Sequence, residues 1–569
     1  MCGISGLLMN SDLSKTIKKK LYYDFYVASR NIAHRGPDKT IHITLPEPCD
    51  ISISFERLAI NDQSTKGDQP FGWHSTVQQR TIYVMCNGEI YNHDALTKEY
   101  KLENGSNSDC EVIMTMYIKL IEHGYDINTA CHEISTRVES EHAFAIFDIN
   151  TTTGDYNLAL SNDRFGMRPL FFGTDEHGFY FSSELIGLQC LHNKNAIIKR
   201  FKPRYFAILQ KKHGVLGKLK YEQYYTIDKC INHYIQPEHG LRPIYETLKK
   251  AVIARTESDR PIGCFLSGGV DSSIVVGLMA KHFSGFIHQK IKTFSIGLEG
   301  GTDEPYAKMV SKHANTEHTH ITLHEDDFIN AIPHVIHAIG TYDITTIRAS
   351  VGQYLISKWI SEHTDIKVIL CGDGSDEICG SYKYFHNAPS PKAFHDECVR
   401  LLSDIHLMDG LRADRCVSHF GIELRFPFLD HKFVDLYLSY DPKSRMPQKG
   451  IEKWLLRQAF SDANIIPEQV LWRSKEAFSD GVSSKKKSWY IIIQNMVDKL
   501  YTDEELKLAQ IEYQHLPPYT KESLHYRLLF CKIYGHNVTT SQTIPYFWLP
   551  KWCGEATDPS ARTLDVYNA

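Results

Sequence analysis

From about residue 238 onward, short apolar stretches alternate with amphipathic ones, and this alternation constrains the fold more than any other feature of the chain. Apolar runs at 262–266, 292–296 and 367–370 read as strands. Helical period appears after Asp271, from Tyr306, over 327–339 and over 350–363. Strand–helix alternation is the repeating unit of a parallel sheet with helices on its faces. Such sheets bind ligands beyond the carboxyl ends of their strands, so the loops after residues 266 and 370 are where a site is expected.

Before that point the pattern differs. Residues 1–201 read mostly as strands and turns, with strands at 51–55, 81–86, 142–148, 156–161 and 178–182 and a helix at 110–122. Turn residues gather at Arg35-Gly36-Pro37-Asp38 and Asn87-Gly88. A layered sheet-and-helix domain is expected here. Residues 202–237 are polar, tyrosine-rich and without helical period, and read as a connector. The alternating domain is expected over 238–530 and a tail over 531–569; beyond about Pro517 one helix is expected at 521–534, and the chain's end is expected to lack fixed structure. Lys485-Lys486-Lys487 reads as a solvated loop. The fold class is therefore α/β overall: an α+β layered domain, then a parallel-sheet α/β domain.

Composition narrows the function classes. A formal net charge of -5 gives no basic excess for a nucleic-acid backbone. No apolar run approaches the ~20 residues that span a bilayer, so no membrane association is expected. The apolar stretch Ile4 to Met9 is too short for a signal peptide and follows no basic region. The 14 cysteines include no C-x-x-C pair, so reduced thiols in a cytoplasmic protein are expected.

A lone cysteine is most often a small buried hydrophobe; Cys2 has a further reading. With Met1 removed, its α-amine titrates near ~7.7–8.0 and can act as general base for its own thiol. Four other stretches follow in order: His34-Arg35-Gly36-Pro37-Asp38, Glu56-Arg57-Leu58-Ala59-Ile60-Asn61-Asp62, Asn87-Gly88-Glu89-Ile90-Tyr91-Asn92 and Ser108-Asp109-Cys110-Glu111. With Met1-Cys2-Gly3-Ile4 they resemble the class II glutamine amidotransferase domain, whose fold is the N-terminal-nucleophile (Ntn) hydrolase sandwich. Asp163-Arg164-Phe165-Gly166 and Ser183-Glu184 extend the resemblance. It implies that Cys2 attacks the glutamine side-chain amide and that Asn87 and Gly88 donate to the oxyanion. One such donor is typically worth ~3–4 kcal/mol of activation free energy. It also implies that Arg57 grips the glutamine carboxylate, that Glu89 and Asp109 hold its ammonium, and that backbone groups near Ile60 and Asn61 assist. Taken singly, Asn87-Gly88 is a hairpin turn and Arg57 a surface ion pair. Ser140 and His142 depart from the usual Gly and Phe, and Arg204 stands where Gly is common.

Ser267-Gly268-Gly269-Val270-Asp271-Ser272 lies between a strand and a helix. Its glycines let backbone N–H groups approach an anion, and the helix N-terminus adds partial positive charge. No G-x-x-x-x-G-K-[ST] occurs, so this is not a Walker loop. It is similar to the PP-loop of N-type ATP pyrophosphatases, which implies ATP bound by Leu266, Ser267, Gly268, Gly269, Asp271, Ser272 and Ile296. Mg²⁺ is expected with the phosphates at Asp271 and Asp376, and no organic cofactor. Cys371-Gly372-Asp373-Gly374-Ser375-Asp376-Glu377 resembles the family's second nucleotide loop, with Cys371 and Asp373 in place of Ser and Glu. Aspartate is shorter by about 1.5 Å of reach. Ser381 departs from a usual Gly. Lys453, in Glu452-Lys453, matches a lysine that reaches the phosphates.

Three later stretches narrow the match: 341–350, with Arg348; 421–430; and 475–482, with Lys475. They resemble glutamine-hydrolysing asparagine synthetases specifically, over nearly the whole chain from Cys2 to about Phe530. The resemblance implies L-aspartate, ATP and L-glutamine as substrates, a β-aspartyl-AMP intermediate, an enclosed ammonia path and a homodimer. Arg348 and Lys475 are candidate aspartate ligands, though each also reads as a structural ion pair. A β-lactam synthetase relative, a non-catalytic scaffold and a glutaminase with an inactive second domain are the alternatives; Cys2 speaks against the first.

Overall fold

The structure, a computed structural model, describes residues 1–191, 195–227, 234–284, 290–484, 487–554 and 558–565. The chain forms two compact units. One comprises Met1–Thr226, Ser418–Gly421 and His536–Thr543; the other comprises Ile227–Val417, Ile422–Gly535 and Ile544–Ala569.

The first unit is built on two antiparallel sheets. One runs, in spatial order, Ile197–Arg200, Phe171–Thr174, Gly178–Ser182, Gly3–Met9, Ile51–Arg57 and Lys39–Leu45. Its three central strands are buried along their whole length, as a sheet covered on both faces must be. The other runs Val215–Leu216, Tyr205–Lys212, Tyr156–Asn162, Ser140–Asn150, Arg80–Ile90 and Phe71–Ser75, with Lys220–Gln223 also paired to Tyr205–Lys212. Helices Glu111–Glu122 and Ile127–Arg137 pack Val112, Met116, Ala130 and Ile134 onto Val84, Phe144, Ile146 and Ile208 of this sheet. The result is the layered α+β sandwich expected from the sequence.

Residues 205–223, read above as connector, are strands of this second sheet. Phe206, Ala207, Ile208 and Leu209 are all buried, so the strand Tyr205–Lys212 shows no inward–outward alternation, and Lys211 is buried with them, donating to the carbonyls of Pro48 and Cys49. Residues 228–233 of that connector lie outside the described residues.

The second unit holds a five-stranded parallel sheet in the order Glu317–Leu323, Lys292–Leu298, Ile262–Phe265, Val368–Leu370, Glu423–Arg425, counted among the described residues. The chain builds outward from Ile262–Phe265 in one direction, then returns to Val368–Leu370 and builds the other way. The switch point falls between those two strands, and the loops leaving both open into one crevice. The helix that starts this second half, Ile344–His363, begins six residues before the expected 350, where the Asp343 carboxylate accepts from Thr346 N at 2.9 Å.

The described part of the tail is packed, contrary to expectation. Trp548 and Leu564 join a core with Tyr384, Phe385 and Phe394. Residues 555–557 and 566–569, and Lys485 and Lys486 of the basic run, lie outside the described residues; Lys487 pairs with Glu325. Among the described residues no helix is long and apolar enough to cross a membrane.

Candidate active sites

In the first unit, Cys2 sits at the start of the buried strand Gly3–Met9 and is itself buried. Its backbone N donates to Asn87 Oδ1 at 3.0 Å, Leu58 N donates to its Sγ at 3.5 Å, and Arg35 Nε donates to its carbonyl at 2.9 Å. Arg35 is anchored in turn by Glu184 at 2.7 Å. With one acceptor taken, Asn87 turns its Nδ2 into the interior, where among the described residues it has no hydrogen-bond partner. An unmade buried hydrogen bond costs ~1–3 kcal/mol, so this donor suits an oxygen that arrives with a ligand. Gly88 is required by packing: a Cβ there would lie 2.3 Å from the Glu141 carbonyl of the neighbouring strand.

Beside it, Asn61 Nδ2 donates to Glu89 Oε1 at 2.5 Å and to Asp109 Oδ1 at 3.4 Å, while Asp109 Oδ2 accepts from Ile90 N at 2.7 Å. Two buried carboxylates therefore converge on one neutral amide. Arg57 is held by the loop that follows it, donating to Ser64 O at 2.8 Å, to Asp68 at 2.5 Å and to Asp62 O. A ligand carboxylate at Arg57 has to share it with Asp68. Ile60 is buried next to Asn61.

In the second unit a cavity opens at the switch point. Leu266, Ser267, Gly269, Asp271, Ser272, Ile296, Cys371, Gly372, Asp373, Asp376 and Lys475 line it. Gly268 has φ +80°, and a Cβ there would lie 2.5 Å from Ala307 N. Ser267 and Ser272 hydroxyls stand 3.1 Å apart, and Gly269 N donates to Ser267 Oγ at 3.3 Å. Gly372 rests on the start of helix Val270–Phe283, where a Cβ would lie 2.7 Å from Ser272 N. The two glycine loops are thus interlocked.

Lys453 lies behind that wall, fully buried, with Nζ 2.6 Å from both Asp271 and Asp376. Lys475 Nζ reaches the other Asp376 oxygen at 2.5 Å from the cavity side, and Ser375 Oγ donates to Asp271 at 2.7 Å. Burial works against the Asp376 charge, but Lys453 and Lys475 overcome it and hold its carboxyl far below the usual carboxylate range. Burial likewise opposes the Lys453 charge, and Asp271 and Asp376 reverse that. Among the described residues no three His, Cys, Asp or Glu side chains cluster as a metal cage. Asp271 and Asp376, two carboxylates beside the Ser267–Ser272 loop, could instead hold a Mg²⁺ that shares its remaining ligands with a bound anion, since such ions use one or two protein carboxylates plus phosphate oxygens.

Asp373 is bound at 2.8 Å by Arg412, whose guanidinium also donates to Asp409 at 2.7 Å and Gln353 at 2.6 Å. Arg348, expected at the aspartate, does not line the cavity. It is buried and forked between Glu522 at 2.9 and 2.6 Å and Asp558 at 2.8 Å. The cations that line the cavity are Arg412, Arg457, Arg473, Lys383 and Lys475.

Both site regions match known families. A model described as asparagine synthase matches residues 243–393 and 387–524, and one described as glutamine amidotransferase domain matches residues 1–225. The asparagine synthetase [glutamine-hydrolyzing] of Gallus gallus is 37% identical over 587 aligned residues, covering 100% of this chain and 99% of its own. The proteins of that name from Mus musculus and Homo sapiens match at the same identity and coverage. The chain belongs to the glutamine-hydrolysing asparagine synthetase family. Among solved structures, the allosteric regulatory enzyme of purine biosynthesis is 13% identical, with a TM-score of 0.32 over 56% of this chain and 80% of that one.

Within this family the chain's departures have local explanations. Ser140 and His142 join Ser161 and Ser135 in a buried chain of hydrogen bonds at 2.7, 3.3 and 2.9 Å. Burial lowers the His142 pKa to about 3, so the ring is neutral there. Arg204 takes the left-handed φ of +70° that explains the usual glycine. Ser381 Oγ binds Asp376. Sequence reasoning left Arg412, Arg473 and Arg35 out of the site. Arg35 stands in the His34–Asp38 motif, but nothing in the sequence ties Arg412 to Asp373, 39 residues earlier.

Proposed function

We propose that the chain makes L-asparagine from L-aspartate and ATP by way of β-aspartyl-AMP, with ammonia from L-glutamine hydrolysed at Cys2, releasing AMP, pyrophosphate and L-glutamate. The observation that carries this reading is the buried Asn87 Nδ2 beside Cys2, without a partner among the described residues, in a chain that also pairs Asp271 and Asp376 with Lys453 at a PP-loop.

Once Met1 is removed, the Cys2 nitrogen becomes an α-amine that takes the thiol proton. Sγ attacks the glutamine side-chain carbonyl, and Asn87 Nδ2 with Gly88 N–H receives the oxyanion. Ammonia departs, and water hydrolyses the γ-glutamyl thioester to glutamate. Arg57 orients the glutamine carboxylate, with backbone groups near Ile60 and Asn61; Glu89 and Asp109 supply the negative charge that its ammonium needs.

In the second unit, the backbone of Leu266 and Ile296 with Cys371 and Gly372 faces the nucleoside, and Ser267–Ser272 the phosphates. Mg²⁺, held with the phosphates at Asp271 and Asp376, would withdraw charge from the departing pyrophosphate. Lys453 fixes both carboxylates, and Lys475 adds positive charge where the pyrophosphate forms. The aspartate β-carboxylate attacks the α-phosphorus, and ammonia then displaces AMP. Asp373 is positioned by Arg412 to take part in forming and consuming the acyl-adenylate. A homodimer is expected, and light scattering reads it.

The test is product analysis with ATP, Mg²⁺, aspartate and either glutamine or ammonium. Asparagine and AMP are expected from both nitrogen sources, and the Cys2→Ala variant should lose only the glutamine route. Glutamate without AMP would sink the synthetase half of the reading.

A further inference from the structure

Arg348 and the C-terminal tail share one set of contacts, and the tail supplies one apolar side of the cavity. Asp558, paired to Arg348, also accepts from Gln494 at 2.9 Å and from Ser560 N at 2.8 Å. Ser560 Oγ donates to Asp480 at 2.8 Å, and Arg562 donates to Glu476 at 2.8 Å and to Ser488 at 2.9 Å. Upstream, Trp548 N donates to Asp343 at 2.9 Å. Between these pins Trp548, Pro550, Pro559, Ala561 and Leu564 line the same cavity as the Ser267–Ser272 loop and Asp373. A bidentate arginine pair of this kind fixes direction as well as distance.

We propose that Arg348 is a positioning residue: by latching Asp558 it holds the tail as a wall that keeps water from the activated aspartyl group. The inference rests on the synthetase reading above. In the leak it prevents, a water oxygen bonds to the β-acyl carbon and the acyl–oxygen bond to AMP breaks. Aspartate and AMP leave, and the water proton goes to solvent, so ATP becomes AMP and pyrophosphate without asparagine. Apolar closure is the ordinary defence against such hydrolysis.

Asp558→Asn is the variant of choice, because it weakens the latch while leaving Arg348 paired with Glu522. Full-length protein is given ATP, Mg²⁺, aspartate and saturating ammonium, and AMP and asparagine are counted. The AMP-to-asparagine ratio should rise at least about fivefold in Asp558→Asn and in Arg348→Ala, with Arg348→Lys intermediate. Aspartate-dependent ATP–pyrophosphate exchange should keep its KM for aspartate within about threefold, and trypsin should cut faster after Lys551. An unchanged ratio in Asp558→Asn overturns the proposal, as does an Arg348→Lys KM for aspartate raised 100-fold at constant ratio, which would make Arg348 a substrate ligand. Wild-type protein that forms no AMP from ATP and aspartate overturns the synthetase reading and the wall with it; wild-type activity with an unchanged variant ratio overturns the wall alone.

Discussion

The Tyr382 hydroxyl stands 2.6 Å from Glu377 and 2.8 Å from Asp409, and it has one hydrogen to give. Burial, then Asp409 and Asp376, push the Glu377 pKa well above the ordinary carboxylate value. A protonated Glu377 resolves the count: it donates to Tyr382, which donates to Asp409. The folded chain then keeps a proton that the unfolded chain releases above about pH 4.3. Stability from this group is therefore present below that pH and lost as pH rises toward the raised folded value. Glu377→Gln should remove the loss, so the melting temperature of the variant minus wild type should grow from pH 5 to pH 8. Glu377→Ala, which leaves the Tyr382 contact unmade, should cost about 2–3 kcal/mol. A difference that stays flat with pH would mean an ionised Glu377. Arg412 invites a second test at this scale. Lysine cannot reproduce its fork to Asp373, Asp409 and Gln353, and a misplacement of ~1 Å at reacting groups costs ~100-fold. Arg412→Lys should lower asparagine formation by about that factor and leave glutamate release from glutamine unchanged. The sequence made Asp373 legible as a substitution, but the residue that holds it is joined to it only by the fold.

At the scale of elements, the interlocked glycine loops are the most demanding feature. Gly372 meets backbone of the Val270–Phe283 helix, which cannot swing aside as a side chain can, and Gly268 adds a positive φ. Gly372→Ala and Gly268→Ala should each reduce aspartate-dependent AMP formation at least about 100-fold with the Cys2 reaction intact; near-normal AMP formation would show, in the first, that the loops have room to separate and, in the second, that the loop can move off Tyr306 and Ala307. These loops were readable because a strand, a glycine pair and a helix start occur in immediate succession. Other elements were not. Glu423–Arg425 is three residues long, too short to carry a period. In Tyr205–Lys212 four consecutive residues, 206–209, are buried, so no period-two pattern marks the strand, and Arg204 occupies a turn conformation that glycine would have announced.

For the molecule as a whole, order along the chain does not follow the division into units. The tail serves both: residues 536–543 belong to the first unit and Ile544 onward to the second. Thr539 Oγ1 accepts from Ile198 N at 3.2 Å and lies 3.1 Å from the Ala196 carbonyl, and Arg200 Nε donates to Thr543 O at 2.7 Å. The segment thus caps the edge strand Ile197–Arg200, whose outer side would otherwise be unpaired. No sequence pattern announces this, because the contact joins residues more than 340 positions apart. Thr539→Val keeps the shape and deletes the hydroxyl, leaving the Ile198 N–H short of its acceptor at about 1 kcal/mol, while the Ala196 carbonyl keeps the Asn537 amide as donor. For a unit of this size that is roughly 2–4 °C in melting temperature. Thermal inactivation of glutamine hydrolysis should shift down by that amount, while ammonium-dependent asparagine formation at 25 °C stays within about twofold. The opposite pattern, with hydrolysis as heat-resistant as before and synthesis impaired, would assign residues 536–543 to the second unit and make the tail a part of one site alone.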